Sequence, residues 1–264
     1  MRLDQYLVKE GLCATRQKAV FAIKEGLVLL NGRVCQRASA DTERKTVELL
    51  GQAFPYVSRG GLKLSAAIKD FSPDVQGKVC LDLGASTGGF TQCLLEHGAK
   101  RVYALDVGKD QLHESLKSDA RVISMEQFNA RELCADSLPE QIDLAVSDLS
   151  FISQSYIYAP LVSVLKEGAP FISLIKPQFE AGRASLNKKG VVSDLRDHLR
   201  VIKELCEKAS AQGLTLVDLS PSPILGGDGN REYLALFRYK DGCPIGDQKI
   251  REAVFGSRQE YSKE

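Results

Sequence analysis

Four charged residues stand where predicted buried strands begin or end. Asp148 follows the apolar run IDLAVS, Lys176 follows APFISLI, and Glu232 opens the run EYLALFRY. Lys63, in the segment SRGGLKL, lies on a predicted helix ahead of the first of these strands. Desolvating a charge is costly, and the carboxyl ends of parallel strands form the edge at which α/β proteins hold their ligands. We therefore expect two lysines and two carboxylates to meet in one cleft.

A lysine in such a cluster can act as a base. A neutral amine accepts a proton from a weakly acidic hydroxyl, and burial and a neighbouring positive charge both favour the neutral form. We predict that Lys176 is the base and Lys63 the like charge, while Asp148 and Glu232 orient the lysines, hold the hydroxyl and balance charge. Two points stay open: each residue alone is typical of a solvated strand end, and the carboxylates oppose deprotonation of the lysines.

The segment LDLGASTGGF connects a predicted strand to a predicted helix. Its three glycines lack the GxGxxG spacing of dinucleotide-binding loops, but they let backbone N–H groups approach a ligand at a helix N-terminus. Asp106 closes the next strand, where a carboxylate can accept the ribose hydroxyls of an adenosine. Asp82 lies two residues before the first glycine, and together with Asp106 it makes the pattern favour S-adenosylmethionine as the cofactor. NAD stays an alternative, because glycine-loop motifs are loose. The predicted cofactor-binding residues are Asp82, Gly84, Ser86, Gly88, Gly89, Phe90, Asp106 and Asp148.

The chemistry that suits a sulfonium donor and a lysine base is methyl transfer to a sugar hydroxyl, such as a ribose 2′-OH. Displacement at the sulfonium methyl depends mainly on positioning. Methylation of a base amine would suit an Asn/Asp-Pro-Pro-aromatic loop after the fourth strand, where this chain has SDLSF. Methylation of a base carbon often uses a cysteine, and none lies at the end of the fourth or fifth strand. A hydroxyl acceptor is favoured.

The elements that must position these residues begin at residue 79. Apolar runs typical of strands alternate with helical patterns, which indicates the α/β class and a doubly wound parallel sheet. A long helix is predicted after Ser193, and LTLVDLSP and REYLALFRY are predicted to close as a terminal hairpin. Residues 241–264 are predicted to be a C-terminal tail, either frayed or a short helix. The five predicted parallel strands are VCLDLG, RVYALDVG, RVISM, IDLAVSDL and APFISLIK.

Residues 1–50 form a separate module by pattern. Two short amphipathic helices, the second capped by Thr15, precede a hairpin with an Asn31-Gly32 turn. Residues 1–39 carry seven basic and three acidic side chains. The order resembles the small α+β S4-type RNA-binding domain, although a generic α+β module is an alternative; residues 51–58, GQAFPYVS, are the predicted linker. The matching residues are Arg2, Leu3, Asp4, Thr15, Arg16, Gly26, Val28, Asn31, Gly32 and Val34.

The composition restricts the possible partners. Among 264 residues, 35 are Lys or Arg and 34 are Asp or Glu, so any nucleic-acid surface must be local. Seven cysteines without a CxxC pair argue against a zinc site or a disulfide framework and suit a reducing compartment. The start, MRLDQYLVKE, lacks a signal-peptide core. We expect a cytoplasmic protein with no membrane partner and no metal.

Basic residues outside the charged cluster are candidates for RNA contacts. Arg59 precedes two glycines between the modules and can either clasp a phosphate or belong to a solvated linker. The segment between Pro177 and Ser193 is predicted to be a long loop that orders on RNA, in which Phe179 either stacks on a base or, as we prefer, anchors the loop. The predicted RNA-binding residues are Arg2, Arg16, Lys18, Lys24, Arg33, Arg59, Arg183, Lys188 and Lys189.

Five segments in order resemble the TlyA family over about residues 1–240: RGGLKL, LDLGASTGGFTQCLL, SDLSFIS, LIKPQFE and GNREYL. Members of this family join an S4-type domain to an FtsJ-type domain and bear the names haemolysin or ribosomal-RNA 2′-O-methyltransferase. The resemblance implies a class I methyltransferase, Rossmann-like fold over residues 59–240 and ribosomal RNA or ribosomal subunits as partner. It also implies that the family's Lys-Asp-Lys-Glu tetrad falls on Lys63, Asp148, Lys176 and Glu232. The chain departs from the family after Asp106, where VGKDQL lacks the expected aromatic residue.

Three functions follow from these observations. The favoured one is an S-adenosylmethionine-dependent rRNA 2′-O-methyltransferase. A pore-forming haemolysin is the first alternative, although the sequence offers neither a long apolar helix nor a secretion signal. The second is a non-catalytic ribosome-binding factor that keeps the cofactor as a structural ligand, and methyl incorporation into ribosomal subunits would distinguish it from the enzyme.

Overall fold

The structure is a computed structural model that describes residues 1–24, 26–50, 56–226 and 229–256. The chain divides into two compact units, Met1–Val57 and Ser58–Glu264. Of the predicted linker, residues 51–55 lie outside the described residues. So do residues 257–264 of the predicted tail.

The N-terminal unit contains two helices and a small antiparallel sheet. Asn31 and Gly32 have φ angles of 53° and 71°, as a type I′ hairpin turn requires, and Thr15 Oγ1 accepts a hydrogen bond from the backbone N of Lys18 at 3.3 Å. The predicted turn and cap are thereby confirmed. The third strand was not predicted, and it makes the order β2-β1-β3. The elements are α1 (Leu3–Lys9), α2 (Arg16–Lys24), β1 (Val28–Leu30), β2 (Arg33–Val34) and β3 (Val47–Leu49).

The C-terminal unit is built on a seven-stranded sheet in the order β6-β5-β4-β7-β8-β10-β9. The five strands from β6 to β8 pair in parallel. β10 is antiparallel to β9, as the predicted hairpin requires, and it also pairs with β8. The strands are β4 (Val79–Leu83), β5 (Arg101–Leu105), β6 (Val122–Met125), β7 (Leu144–Ser147), β8 (Pro170–Ile175), β9 (Leu214–Pro221) and β10 (Tyr233–Tyr239).

The order of the parallel strands creates a switch point beside β4. From β4 the chain crosses first to β5 and β6 on one side and later to β7 and β8 on the other. In open α/β sheets the crevice beyond the carboxyl ends of such strands is where ligands bind. The segments that follow β4, β5 and β7 carry Gly84, Asp106 and Asp148 respectively, so the predicted site residues lie at this crevice.

Helices cover the sheet and bury their apolar stripes against it. The predicted long helix after Ser193 buries Val201, Ile202, Leu205 and Ala209 on one face. The strands β4, β5, β7 and β8 are therefore largely removed from water, which agrees with their continuous apolar runs, whereas the edge strand β6 is partly exposed. The helices are α3 (Gly60–Phe71), α4 (Gly89–Glu96), α5 (Glu114–Lys117), α6 (Ser155–Val162), α7 (Pro177–Glu180), α8 (Leu195–Ser210) and α9 (Asp247–Phe255).

Two segments contain more structure than the sequence indicated. Within the predicted tail, α9 buries Ile250 and Val254 in the main core. The predicted long loop after Lys176 begins as α7, and its later part is closed by a bridge between Leu186 and Val192. Ordering of this segment on RNA stays a prediction.

Candidate active site

Strand register brings three of the four charged residues to one edge of the sheet. The first residue of β10 pairs with the last residue of β8. Glu232 directly precedes β10 and Lys176 directly follows β8, so these two residues lie side by side. β7 runs parallel on the other side of β8, and Asp148 follows its last residue.

The four charged residues form two ion pairs. Lys63 Nζ lies 2.6 Å from Glu232 Oε2, and Lys176 Nζ lies 2.6 Å from Asp148 Oδ1. Lys176 Nζ also donates to Ser150 Oγ at 2.8 Å. The two lysine residues are only 7% and 8% exposed.

Two contacts place these pairs in a common cleft. Gln178 Nε2 donates to Glu232 Oε1 at 3.3 Å, and Gln178 is two residues from Lys176. Gly60 lies one turn before Lys63 on α3, and a methyl group on it would lie 3.5 Å from Asp148 Oδ2. The structure therefore brings together all four predicted residues.

The charges in the cleft are paired, and both lysines are largely shielded from solvent. Buried charges are tolerated when they are paired, and leaving one without its partner typically costs about 3–5 kcal/mol. The ring of Phe179 lies 5.8 Å from Lys176 Nζ and 5.0 Å, between centroids, from Phe151. These contacts agree with Phe179 as an anchor. An amine held in this way, once neutral, can accept a proton from a hydroxyl in the cleft.

Because Gly226 has no side chain, the Glu232 carboxylate can lie against its backbone. A methyl group on Gly226 would lie 2.1 Å from Glu232 Oε1. The backbone N of Gly226 donates to the carbonyl oxygen of Asn230 at 2.8 Å, which holds the chain in this position. Glycine is needed here because backbone and carboxylate approach so closely.

A cavity of about 430 Å³ adjoins the charged cluster at the ends of β4, β5 and β7. Its size is within the range of sites for small organic ligands. Of the predicted cofactor-binding residues, four line it: Gly84, Ser86, Asp106 and Asp148. The cavity is also lined by Leu105, Val107, Phe128, Asn129, Ala130, Arg131, Leu149, Ser150, Phe151 and Ile152.

Asp106 is fixed by backbone donors. Its Oδ2 accepts from Ser86 N at 2.8 Å and its Oδ1 from Gly108 N at 2.7 Å. A carboxylate oxygen accepts more than one hydrogen bond, so both oxygens retain capacity for ligand hydroxyls. This geometry fits the predicted contact with a ribose.

Gly88, Gly89 and Phe90 are not among the residues that line the cavity. A methyl group on Gly88 would lie 2.2 Å from Leu116 Cδ1, and one on Gly89 would lie 2.1 Å from Ser58 Oγ. Phe90 is 3% exposed. These residues allow close packing at the start of α4, which shapes the cavity without forming its wall.

Asp82, near the end of β4, is fully buried and, like these three residues, does not line the cavity. Its Oδ2 accepts from Thr91 Oγ1 at 2.7 Å, whereas its Oδ1 has no hydrogen-bond partner among the residues that the structure describes. Burial raises the pKa of Asp82 to about 7, with Thr91 opposing the shift and Asp148 adding to it. Buried polar atoms are nearly always paired. The orphaned oxygen, two residues from the cavity-lining Gly84, fits a ligand that brings a cationic or hydrogen-donating group.

Apart from Asp148, the wall contributed by the segments after β6 and β7 was missed by sequence reasoning. The run Phe128 to Arg131 follows β6, and its polar Asn129 after a strand end was the available signal. Phe151 is 87% exposed and has a φ of 67°, which is unusual for a bulky residue. No sequence pattern indicated that exposure.

The predicted RNA-binding residues are mostly exposed. In the N-terminal unit, Arg2 and Arg16 both bond to Asp4, at 2.9 Å and 2.8 Å, while their side chains stay 46% and 61% exposed. Lys24 and Arg33 are exposed, and Lys18 is half-buried. In the C-terminal unit, the exposed candidates are Arg59, Arg183, Lys188 and Lys189. Their contact with RNA stays a prediction.

Two features are absent from the part of the chain that the structure describes. No group of three or more His, Cys, Asp or Glu side chains is placed to hold a metal ion. No helix in the same part of the chain is both long and apolar enough to cross a membrane.

Comparison with known proteins assigns a family to each unit. The model of the FtsJ-like methyltransferase family matches residues 56–239. The model of the S4 domain matches residues 1–40. The first match spans well over half of the chain.

Similar proteins cover nearly the whole chain. Hemolysin A of Brachyspira hyodysenteriae is 43% identical over 90% of this chain and 99% of its own length. The 16S/23S rRNA (cytidine-2′-O)-methyltransferase TlyA of Mycobacterium tuberculosis is 38% identical over 96% of this chain and 95% of its own. The solved structure "Putative hemolysin from Streptococcus thermophilus" is 38% identical with a TM-score of 0.77, covering 100% of this chain and 97% of that one.

Proposed function

Because this chain belongs to the TlyA family, with an S4 domain followed by an FtsJ-like methyltransferase domain, we propose that it methylates ribose 2′-hydroxyls of ribosomal RNA with S-adenosylmethionine. One observation carries the proposal. Asp148 and Ser150 both line the cavity, and Lys176 Nζ forms an ion pair with Asp148 and donates a hydrogen bond to Ser150. A base and a donor site therefore adjoin each other.

The residues around the cavity suit the parts of S-adenosylmethionine. The Asp106 carboxylate would accept the ribose hydroxyls, and the orphaned Asp82 oxygen would receive the amino group, directly or through water. Phe128 and Asn129 supply an apolar and a polar side chain for the adenine. When bound, the cofactor supplies an electrophilic methyl group on a sulfonium.

Lys176 removes the hydroxyl proton in this proposal. In its neutral form the amine would accept the proton of the 2′-OH, and the hydroxyl oxygen would receive the methyl group that the bound cofactor supplies. Lys176 is held by its ion pair with Asp148, and Lys63 by its ion pair with Glu232. Asp148 thus orients the base, and Lys63 with Glu232 completes the charge balance around the ribose.

The substrate class rests on the S4 match, on the exposed basic residues and on the relative of Mycobacterium tuberculosis, whose name specifies cytidine 2′-O-methylation of 16S and 23S rRNA. Exposed Phe151 at the mouth of the cavity provides an aromatic face on which an unpaired base can stack. We propose ribosomal RNA, within ribosomal subunits or free, as the methyl acceptor.

Lys176→Ala tests the proposal. We expect the variant to fold and to bind S-adenosylmethionine, while transfer of a tritiated methyl group to ribosomal subunits falls by about 10²- to 10⁴-fold, the usual contribution of a general base. Lys166→Ala is the matched control, since Lys166 pairs with Asp143 outside the cleft. Full activity of Lys176→Ala would remove the base. Mapping of 2′-O-methyl marks on rRNA from cells with and without the gene identifies the nucleotide.

A further inference from the structure

A buried glutamine connects the two strands that carry Asp148 and Lys176. Gln154, 2% exposed, immediately precedes α6. Its Oε1 accepts from Ser147 Oγ at 3.4 Å and from the hydroxyl of Ser173. Ser147 is the residue before Asp148, and Ser173 is its partner on β8. The amide oxygen therefore fixes these neighbouring strand ends to one group.

The same residue holds the chain on both sides of Lys176. Gln154 Nε2 donates to the carbonyl oxygen of Leu174 at 2.5 Å. The backbone N of Gln154 donates to Glu180 Oε1 at 2.8 Å. Leu174 precedes Lys176 by two residues and Glu180 follows it by four, so the lysine lies between two points of attachment to a single residue.

Glu180 has no role in the proton transfer described above, yet it is largely removed from water. Burial raises the pKa of its carboxyl, while hydrogen bonds from Ser153 and Gln154 oppose the shift. The Glu180 carboxylate, at the end of α7, accepts a hydrogen bond from the backbone just before α6. This bond restrains α7, which begins at Pro177 and has Lys176 as its N-cap.

We propose that Gln154, assisted by Glu180, is a positioning residue that fixes the distance between Asp148 and Lys176 during methyl transfer. It touches neither substrate nor cofactor in this inference, which rests on the proposed function. A misplacement of about 1 Å in a catalytic group can cost about 10²-fold in rate, and this network attaches to the chain next to both members of the pair.

Gln154→Met is the direct test, because methionine keeps the length and shape of the side chain and loses its hydrogen bonds. We expect kcat to fall about 10- to 100-fold at saturating substrates. The KM for ribosomal subunits and the Kd for S-adenosylmethionine should stay within about twofold of wild type, because the substrate-contacting groups are retained. Tyr158→Phe is the control on α6, since the buried Tyr158 hydroxyl has no hydrogen-bond partner among the described residues.

A second pair of variants keeps the inference testable where Gln154→Met does not fold. Glu180→Gln retains an oxygen that accepts from Gln154 N, and Glu180→Ala does not. We expect kcat near wild type for the first and about 10-fold lower for the second, again at unchanged KM and Kd. A kcat within twofold of wild type for Gln154→Met would overturn the inference, and so would equal losses of kcat in the two Glu180 variants. The inference would also fail if activity fell only in proportion to the fraction of protein that still binds S-adenosylmethionine. Absence of methyl transfer by the wild-type protein would instead refute the proposed function.

Discussion

Two buried aspartates, one in each unit, show opposite electrostatic behaviour. Asp4 accepts hydrogen bonds from Arg2, Arg16 and the backbone N of Gln5. The bond from Arg2 is the largest of the effects that hold its pKa down at about 2. Asp82 has one hydroxyl donor and one oxygen without a partner, and burial raises its pKa to about 7.

The difference teaches that donors and depth together distinguish the two carboxylates: the hydrogen bond from Arg2 is the largest effect on the pKa of Asp4, whereas desolvation is the largest effect on that of Asp82. Both residues are 0% exposed. Asp4 is satisfied within its own unit, which marks it as part of the fold, and it presents two half-exposed guanidinium groups. Asp82 has an oxygen without a partner within the described protein, and it lies two residues before Gly84, which lines the cavity. A buried carboxylate that lacks a donor is therefore the better indicator of a ligand site.

Among the substitutions that test this comparison, Asp82→Asn is expected to change the free energy of unfolding most. A folded-state pKa of about 7 lies about three units above the ordinary value, so the ionised form costs on the order of 4 kcal/mol. The folded protein binds an extra proton between about pH 4 and 7, and stability falls as the pH rises through that window. Without cofactor, the variant should lose this slope and gain free energy of unfolding at pH 8, measured by denaturant titration.

The same substitution should weaken the binding of S-adenosylmethionine. Loss of one partner of a buried charged contact costs about 2–5 kcal/mol, at least about 30-fold in affinity, and calorimetric titration at pH 8 measures it. Asp143→Asn is the control, because Asp143 accepts from Val79 N at the other end of β4. Unchanged cofactor affinity in Asp82→Asn would make Asp82 a core residue like Asp4 and end the distinction.

Asp4→Asn should have a smaller effect of the opposite sign. The pKa of Asp4 is lowered by about two units, so ionised Asp4 stabilises the folded state by on the order of 2.5 kcal/mol. That stability is present above about pH 4 and is lost as the pH falls toward 2. Hydrogen exchange of the α1 amides at pH 7, with the full chain, should show faster opening in the variant. Exchange rates equal to wild type would show that Asp4 is dispensable.

The sequence predicted the charged cluster because strand ends can be identified from apolar runs. Parallel topology then places those ends at one edge, and Asp148 and Lys176 follow from that rule alone. The insertion of β10 between β8 and β9 determines that Glu232 joins them, and the sequence predicted only the hairpin. Which lysine pairs with which carboxylate depends on the packing of α3.

Other features depend on side-chain contacts between distant segments. The cavity wall after β6 and the hydrogen bonds of Gln154 join residues that share no motif. In the N-terminal unit, Arg2 and Arg16 were predicted only as RNA contacts, because no spacing rule showed that Asp4 holds both. For the tail, the sequence left a short helix and a frayed segment as alternatives, because only Ile250 and Val254 of the nine residues in α9 are buried.

Arg16→Gln is the substitution with the smallest expected effect on stability. The Arg16 side chain is 61% exposed, and pairs of this kind contribute at most about 1 kcal/mol; Asp4 also keeps Arg2. If Asp4 orients the arginines toward RNA phosphate, the slope of log affinity against log salt should fall by about 0.7–0.9 for one lost contact. Arg121→Gln is the control, as Arg121 is paired to Asp119 and half exposed but is not among the predicted RNA contacts. An unchanged salt slope in Arg16→Gln would mean that this buried carboxylate organises the fold alone.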